Sequence, residues 1–242
     1  MWSDQFQGYA SPVHVALLGL PTLLDLCAPS DIEGLTVTRI DGLAIASASA
    51  DALVAFEPSE GEWMKLDEVQ LPALIWWRDG PPAWAETPNR SRSGAPRRTV
   101  AGSPQAPAGC WRSIPLPVAD ELFSEWSEQA PDAGAVAVNF QDEGGPASLH
   151  NALVALAQGQ LLVSEPLQPS RGLEPGIDYL EACGRDEVRA AVENAARAPE
   201  AFLRMRLRGR RKAELFRASR VVTRLVGDLL LELELDLATA AR

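Results

Sequence analysis

Cysteine and histidine are scarce in this 242-residue chain, and neither residue type forms a recognisable motif. The three cysteines, Cys27, Cys110 and Cys183, are far apart in the sequence and odd in number. Their spacing predicts no disulfide framework and no zinc site, and it is typical of reduced thiols in the cytoplasm. No closely spaced pair of aspartates predicts a magnesium site, because the adjacent Asp142 and Glu143 are more typical of a loop surface.

Positive charge and long apolar runs are also lacking. The formal net charge is -11 at pH 7, and a basic surface is what nucleic acids and anionic membranes attract. No apolar run reaches the roughly 18 residues of a membrane-spanning helix, and the first residues do not resemble a signal peptide. We therefore expect a cytoplasmic protein that binds no nucleic acid and does not insert stably into a membrane.

Short apolar runs alternate with segments of helical periodicity along most of the chain. This alternation predicts an α/β fold with parallel sheets covered on both faces, and we expect Leu17, Val54, Ile75, Val138 and Leu162 to be buried. The predicted strands are residues 14–20, 35–40, 52–56, 71–77, 135–140, 161–164 and 177–180. The predicted helices are residues 22–28, 59–70, 148–158 and 186–197, followed by a long or kinked helix over 199–237 with a bend at Gly209.

Composition divides the chain into two predicted domains, residues 1–97 and residues 98–242. Residues 86–98 are rich in Pro and Arg and predict a linker, whose arginines fit either a solvated loop or contacts to an anionic ligand. Nine cations among residues 204–224 could suggest nucleic-acid binding. Their interleaving with an apolar stripe that includes Leu215, Val222, Val226 and Leu229 favours a solvated helix face instead, and this helix could pack back onto the first domain.

The segment from residue 139 to residue 180 is the most informative. It shows a strand, a loop with Gly144 and Gly145, a helix, a second strand and then a Gly- and Pro-rich loop. The unpaired N–H groups of a helix N-terminus favour phosphate, and ligands of open α/β sheets bind at the carboxyl ends of the strands. The pattern alone indicates a nucleotide pocket only weakly.

Residues 161–167 (LLVSEPL) and 172–181 (GLEPGIDYLE) resemble the donor-domain signature of bacterial GT-B-type glycosyltransferases of the spore-maturation group. Residues 111–120 (WRSIPLPVAD) are similar to the interdomain segment of that group, and residues 209–214 and 217–220 are similar to its terminal helix. The likeness extends over most of the chain and is specific from about residue 111 to residue 225.

The resemblance implies a GT-B-like fold of two Rossmann-like domains, the second shortened and ending in a long helix. It implies transfer of a sugar from a nucleotide-sugar donor to an unknown glycan, lipid or protein acceptor, without a metal or cofactor. The diphosphate is expected near the start of the helix at 148, with Arg171 or Arg112 as the compensating cation and Glu174 facing sugar or ribose hydroxyls. The donor-binding residues that the resemblance implies are Arg112, Gly144, Gly145, His150, Asn151, Glu165, Arg171, Gly172, Leu173, Glu174 and Gly176.

Two departures from the family pattern favour a rival hypothesis. Asn151 stands where the family usually has an arginine, and Val154 stands where some relatives have a glutamate. Only residues 121–134 occupy a region where the family has a further strand and helices. The rival is a non-catalytic relative that keeps the fold as a binding or scaffold module.

The sequence does not identify the catalytic residues. An inverting enzyme would need an acceptor-side base, for which His14 and Asp79 are weak candidates. His14 fits a structural strand residue equally well. His150 is either a ligand contact in the first turn of the proposed phosphate-facing helix or a bystander.

Overall fold

The computed structural model describes residues 12–31, 34–41, 43, 50–78, 80–85, 94–102, 109–123, 136–140 and 148–240. Its strands are β1 (Val13–Leu18), β2 (Leu35–Arg39), β3 (Ala52–Phe56), β4 (Ala73–Trp77), β5 (Arg97–Ala101), β6 (Arg112–Ser113), β7 (Val136–Asn139), β8 (Leu161–Ser164) and β9 (Leu180–Glu181). Its α-helices are α1 (Pro21–Cys27), α2 (Glu60–Leu66), α3 (Leu149–Ala157), α4 (Arg185–Arg197), α5 (Leu203–Ala213) and α6 (Ala218–Ala240). Short 3-10 helices cover Asp120–Leu122, Pro199–Phe202 and Glu214–Phe216.

The described residues form two compact units. Unit 1 comprises Met1–Ala119 and Ala218–Arg242, and unit 2 comprises Asp120–Arg217. The predicted boundary at 97/98 lies inside β5, which pairs in parallel with β4 and therefore belongs to the first sheet. The division differs from the predicted one because residues 99–119 complete the first sheet and α6 returns to it.

Unit 1 is built on a six-stranded parallel sheet with the order β2-β1-β3-β4-β5-β6. One face packs against α1 and α6, including Val222, Val226 and Leu229, and the other face packs against Trp63 and Leu66 of α2. Burial on both faces explains why these strands are continuous apolar runs, and it confirms the predicted burial of the residues at 17, 54 and 75. The sheet is Rossmann-like.

Unit 2 holds a three-stranded parallel sheet with the order β7-β8-β9. Leu162 of β8 is fully buried as predicted, but Val138 of β7 is 50% exposed. That prediction was wrong because β7 lies at an edge of the sheet. The last strand begins at Leu180, three residues later than predicted, because the turn around Asp178 occupies the intervening positions.

The terminal helical region is broken at a different point from the predicted one. Helix α5 runs through Gly209 without interruption, and the break is the 3-10 turn Glu214–Phe216 followed by an extended residue at Arg217 (ψ 132°). Leu215 consequently leaves the buried stripe and is 57% exposed. The predicted return of the final helix to the first domain is seen in the burial of the apolar stripe of α6 within unit 1.

The prediction that Arg97 and Arg98 lie in a linker was wrong, because both residues belong to β5. Arg97 is 3% exposed on β5, where its guanidinium lies 3.0 Å from Asp67 and 5.2 Å from the ring centre of Trp63. Burial lowers the pKa of this guanidinium, and the nearby carboxylate opposes that effect. Arg98 pairs with Glu232 of α6 at 2.7 Å, so both cations serve the packing of unit 1.

Candidate functional site

The carboxyl edge of the unit 2 sheet is fixed by one buried amide. Asn139 ends β7, and its Nδ2 donates hydrogen bonds to the Ser148 carbonyl and to Ser164 Oγ, both at 3.1 Å. Ser148 is also the N-cap of α3, since its Oγ accepts the Asn151 N–H. Ser164 Oγ in turn donates to the Glu165 carbonyl at 2.8 Å. The amide therefore joins the ends of two strands to the start of a helix.

The loop of residues 165–179 follows β8 at the same edge. Arg171, Gly172 and Gly176 all have positive φ, at 51°, 87° and 75°. A Cβ on Gly176 would meet nothing within 4 Å, so glycine is required there for its backbone conformation and not for space. Leu173 and Tyr179 are buried and anchor the loop on the unit, while the side chain of Glu174 is 54% exposed.

A buried carboxylate, that of Asp178, accepts a backbone hydrogen bond from this loop. Asp178 has a fully buried side chain, and its Oδ2 accepts the Glu174 N–H at 3.0 Å. Two cations of α5 balance its charge: Arg208 Nε lies 3.4 Å away and Lys212 Nζ lies 3.9 Å away. Ion pairing of this kind offsets the cost of burying the carboxylate. These contacts hold the backbone of the loop at Glu174.

Two other cations of α5 donate hydrogen bonds to backbone carbonyl groups at the C-terminal end of α3. Arg206 Nε donates to the Gly159 carbonyl and Arg210 Nη1 donates to the Ala157 carbonyl, both at 2.6 Å. Such carbonyls have no partner inside their own helix, so charged donors stabilise them. Burial lowers the pKa of both guanidinium groups. These contacts favour the predicted docked helix face over nucleic-acid binding for this basic segment.

The structure brings some of the predicted donor-site residues together. Glu165, Arg171, Gly172, Leu173, Glu174 and Gly176 all lie on the loop after β8. Asn151 donates its backbone N–H to the N-cap Ser148 and has an exposed side chain, whereas Val154 is partly buried. His150 is 3% exposed, which favours the bystander alternative. Gly144 and Gly145 lie outside the described residues.

Arg112 belongs to unit 1, on β6, whereas the loop that it was expected to assist belongs to unit 2. Its guanidinium lies 3.7 Å from Asp228 and 4.7 Å from the ring centre of Trp111. Its charge is therefore already engaged within unit 1. Arg171, the other cation that the resemblance implied, lies on the 165–179 loop itself.

A second sheet edge in unit 1 carries residues that the sequence analysis missed. The strand order reverses between β1 and β3, and open α/β sheets bind ligands at the carboxyl side of such a reversal. Glu57 directly follows β3 with φ 45°, a conformation that is uncommon outside glycine, and its carboxylate pairs with Arg78 at 3.5 Å. Gly19 follows β1, where a Cβ would come within 3.0 Å of the Phe56 carbonyl.

The residues predicted as acceptor-side bases are less well placed. His14 lies in the first half of β1, where its Nε2 is 2.7 Å from Thr38 Oγ1 and its N–H donates to Asp51, so the structure favours its structural role. Asp79 lies outside the described residues. The signal that could have found Glu57 is positional, because a charged residue directly after a buried strand lies at the ligand-binding edge.

A cavity of about 430 Å³ in unit 1 is lined by Arg98, Gly109, Cys110, Trp111 and Glu232. Its polar groups already pair with one another, since Glu232 accepts from both Arg98 Nε at 2.8 Å and Trp111 Nε1 at 3.0 Å. Burial raises the pKa of the Cys110 thiol, which disfavours the nucleophilic thiolate. The lining therefore does not define a ligand.

Within the described ranges, no three His, Cys, Asp or Glu side chains are grouped as a metal site would require. None of the described helices combines the length and the apolar character needed to cross a bilayer. No known family model matches the chain, and no curated protein is significantly similar to it in sequence. The features of the described residues that indicate a function are the two sheet edges.

Proposed function

We propose that this protein is a GT-B-like glycosyltransferase in which unit 2 binds a nucleotide sugar and unit 1 binds the acceptor. The observation that carries the proposal is the fixed loop at 165–179, in which Asp178 accepts the Glu174 N–H while the Glu174 carboxylate remains exposed. An ionised carboxylate held in this way accepts two hydroxyl hydrogen bonds, as a ribose or hexose offers.

The start of α3 supplies the second element of the donor site. The dipole of this helix favours the diphosphate, and Arg171 supplies positive charge on the adjoining loop. These groups lower the energy of the leaving diphosphate as its charge develops. On the acceptor side, Glu57 at the reversal of the unit 1 sheet is a better candidate for the base than His14.

A non-catalytic binding or scaffold protein is the second candidate. Asn151, which replaces the arginine usual in the resembled family, leaves an exposed neutral side chain at the first turn of α3. Without this cation the protein stabilises the transition state less, and the ground state is affected to a smaller degree, because the negative charge on the leaving group increases during transfer. Nucleotide binding without turnover would favour this candidate.

The donor site is tested by calorimetry and thermal unfolding with UDP, GDP, dTDP and their sugars. A ligand at 100 times its Kd should stabilise unit 2 by about 2.7 kcal/mol. Asn151→Arg should increase the affinity at least several-fold, because it adds a cation beside the diphosphate. Gly176→Val should abolish binding, because a β-branched residue does not adopt the φ of 75° that this turn has.

Gly184→Val is the matched control for the loop substitution. Gly184 has an extended backbone with φ -172°, and a Cβ there meets nothing within 4 Å. The control should bind nucleotide as the native chain does. Its melting temperature should be about a few degrees lower at most, because Gly184 is the N-cap of α4 and valine is less favourable there. If neither the native chain nor Asn151→Arg binds any of these nucleotides, the donor-site proposal is wrong.

A further inference from the structure

Lys212 contacts the 165–179 loop from the last turn of α5. Its Nζ donates to the Gly172 carbonyl at 2.7 Å and lies 3.7 Å from Glu174 Oε1. The same ammonium is 3.9 Å from the buried carboxylate of Asp178. One side chain therefore bridges the positive-φ turn at 172 and the exposed carboxylate at 174.

Glu174 is held at two separate points. Its N–H donates to Asp178, which fixes the backbone, and its Oε1 faces Lys212, which restricts the side chain. A glutamate side chain otherwise samples many rotamers, and ordering it on binding costs free energy. Because Lys212 orders it beforehand, the second carboxylate oxygen has a defined direction for an incoming hydroxyl.

Stability is not the main consequence of this contact. The Lys212 and Glu174 side chains are 32% and 54% exposed, and exposed ion pairs contribute little to folding. The anchoring of the loop comes instead from buried groups, namely Leu173, Tyr179 and the Asp178 carboxylate. Removing the ammonium leaves Arg208 at 3.4 Å as the partner of Asp178, so the fold should form with some loss of stability. The change specific to Glu174 should be in what its carboxylate recognises.

We propose that Lys212 is a positioning residue that aims the Glu174 carboxylate at paired hydroxyl groups of the bound nucleotide. This inference rests on the proposed donor site in unit 2. Lys212, on α5, would thus influence which ligand binds by orienting Glu174, without contacting the ligand itself. Ligands that carry two adjacent hydroxyls should bind better than analogues without them, and this preference should depend on both side chains together.

The test compares UDP and GDP with their 2′,3′-dideoxy analogues by calorimetry. The native chain should prefer the hydroxylated form about tenfold or more, since hydrogen bonds to a charged acceptor are strong. Lys212→Met and Glu174→Gln should each bring the preference close to one. The double variant should lose no more than either single variant, because both residues act through the same hydrogen bonds.

Two further variants separate positioning from general charge. Lys212→Arg keeps the ion pair and should retain the preference. Arg211→Met removes a cation from the neighbouring position of α5, where the side chain is exposed, and should behave as the native chain does. Lys212→Met also removes one of the two cations beside Asp178, so its melting temperature should fall by about a few degrees, whereas that of Arg211→Met should stay at the native value. A merely structural role of Lys212 predicts that fall but no change in the preference for hydroxylated nucleotides.

The outcomes distinguish this inference from the proposal on which it rests. If the native chain prefers the hydroxylated nucleotides and Lys212→Met keeps that preference, the positioning role is wrong while the donor site stands. Strictly additive losses in the double variant also overturn it, as does equal affinity of the native chain for both forms. If the native chain binds none of the nucleotides, the donor site itself is wrong and the inference fails with it.

Discussion

Leu229→Asp should lower the free energy of unfolding of unit 1 by about 4 kcal/mol or more. Leu229 is fully buried on α6, in the cluster that includes Leu17 and Val54 of the sheet. Removing a buried leucine side chain costs about 2–5 kcal/mol, and an unpaired carboxylate adds a desolvation cost. Urea unfolding followed by tryptophan fluorescence measures the loss, because Trp63, Trp76 and the other described tryptophans lie in unit 1.

Leu231→Asp is the control on the same helix. Leu231 is 55% exposed, so the same chemical change there removes little buried surface and should alter stability by no more than about 0.5 kcal/mol. Equal unfolding midpoints for the two variants would contradict the packing of α6 on the sheet.

Gly209→Val should disrupt unit 2 and its candidate site together. A Cβ at Gly209 would lie 2.5 Å from Leu156 Cδ2 and 2.6 Å from the Asp178 carbonyl oxygen, so α5 would have to move away from α3 and the loop. Overpacking of this kind costs about 1–3 kcal/mol or more, and here one of the obstructing atoms is backbone. We expect faster hydrogen exchange over residues 149–164 and a loss of nucleotide binding.

Gly61→Ala should stabilise the protein, whereas Gly209→Val should destabilise it, although both glycines lie in helices. Gly61 lies in α2, and a Cβ there meets nothing within 4 Å. Alanine should therefore stabilise unit 1 by about 0.5–1 kcal/mol through helix propensity. A Gly209→Val protein as stable as the native chain would contradict the close approach of α5 to α3.

Most strands and helices of this fold could be predicted from sequence, because burial on both faces leaves a clear pattern. The runs at 52–56 and 161–164 coincide with β3 and β8, and Ser59 and Ser148 begin their helices through side-chain caps. The same pattern does not predict the structure of a segment whose conformation depends on contacts with residues distant in the sequence. Nothing local distinguishes Arg97 in a linker from Arg97 in an inner strand, where Asp67 offsets the cost of its burial.

The candidate site shows a similar limit. Glycine at 176 predicts an unusual backbone, and the positive φ agrees with that prediction. Lys212 could not be predicted as a partner of Glu174, because the two are 38 positions apart and meet only through the packing of α5. The expectation of a bend at Gly209 was wrong for the same reason, since that glycine permits close packing and not a kink.

The two-part composition of unit 1 has a consequence for biosynthesis. A ribosome completes all of residues 120–217 before it makes α6. During that time α1 alone of these two helices can cover the sheet face that includes Leu17 and Val54, and the part that α6 covers stays exposed. Unit 2 is continuous in sequence and has its full set of partners earlier. Domains usually mature in the order of their synthesis, but here the middle of the chain should mature first and the beginning last. The nascent sheet presents part of an apolar face for the time needed to add about one hundred residues, and transiently exposed apolar surface of this kind promotes aggregation.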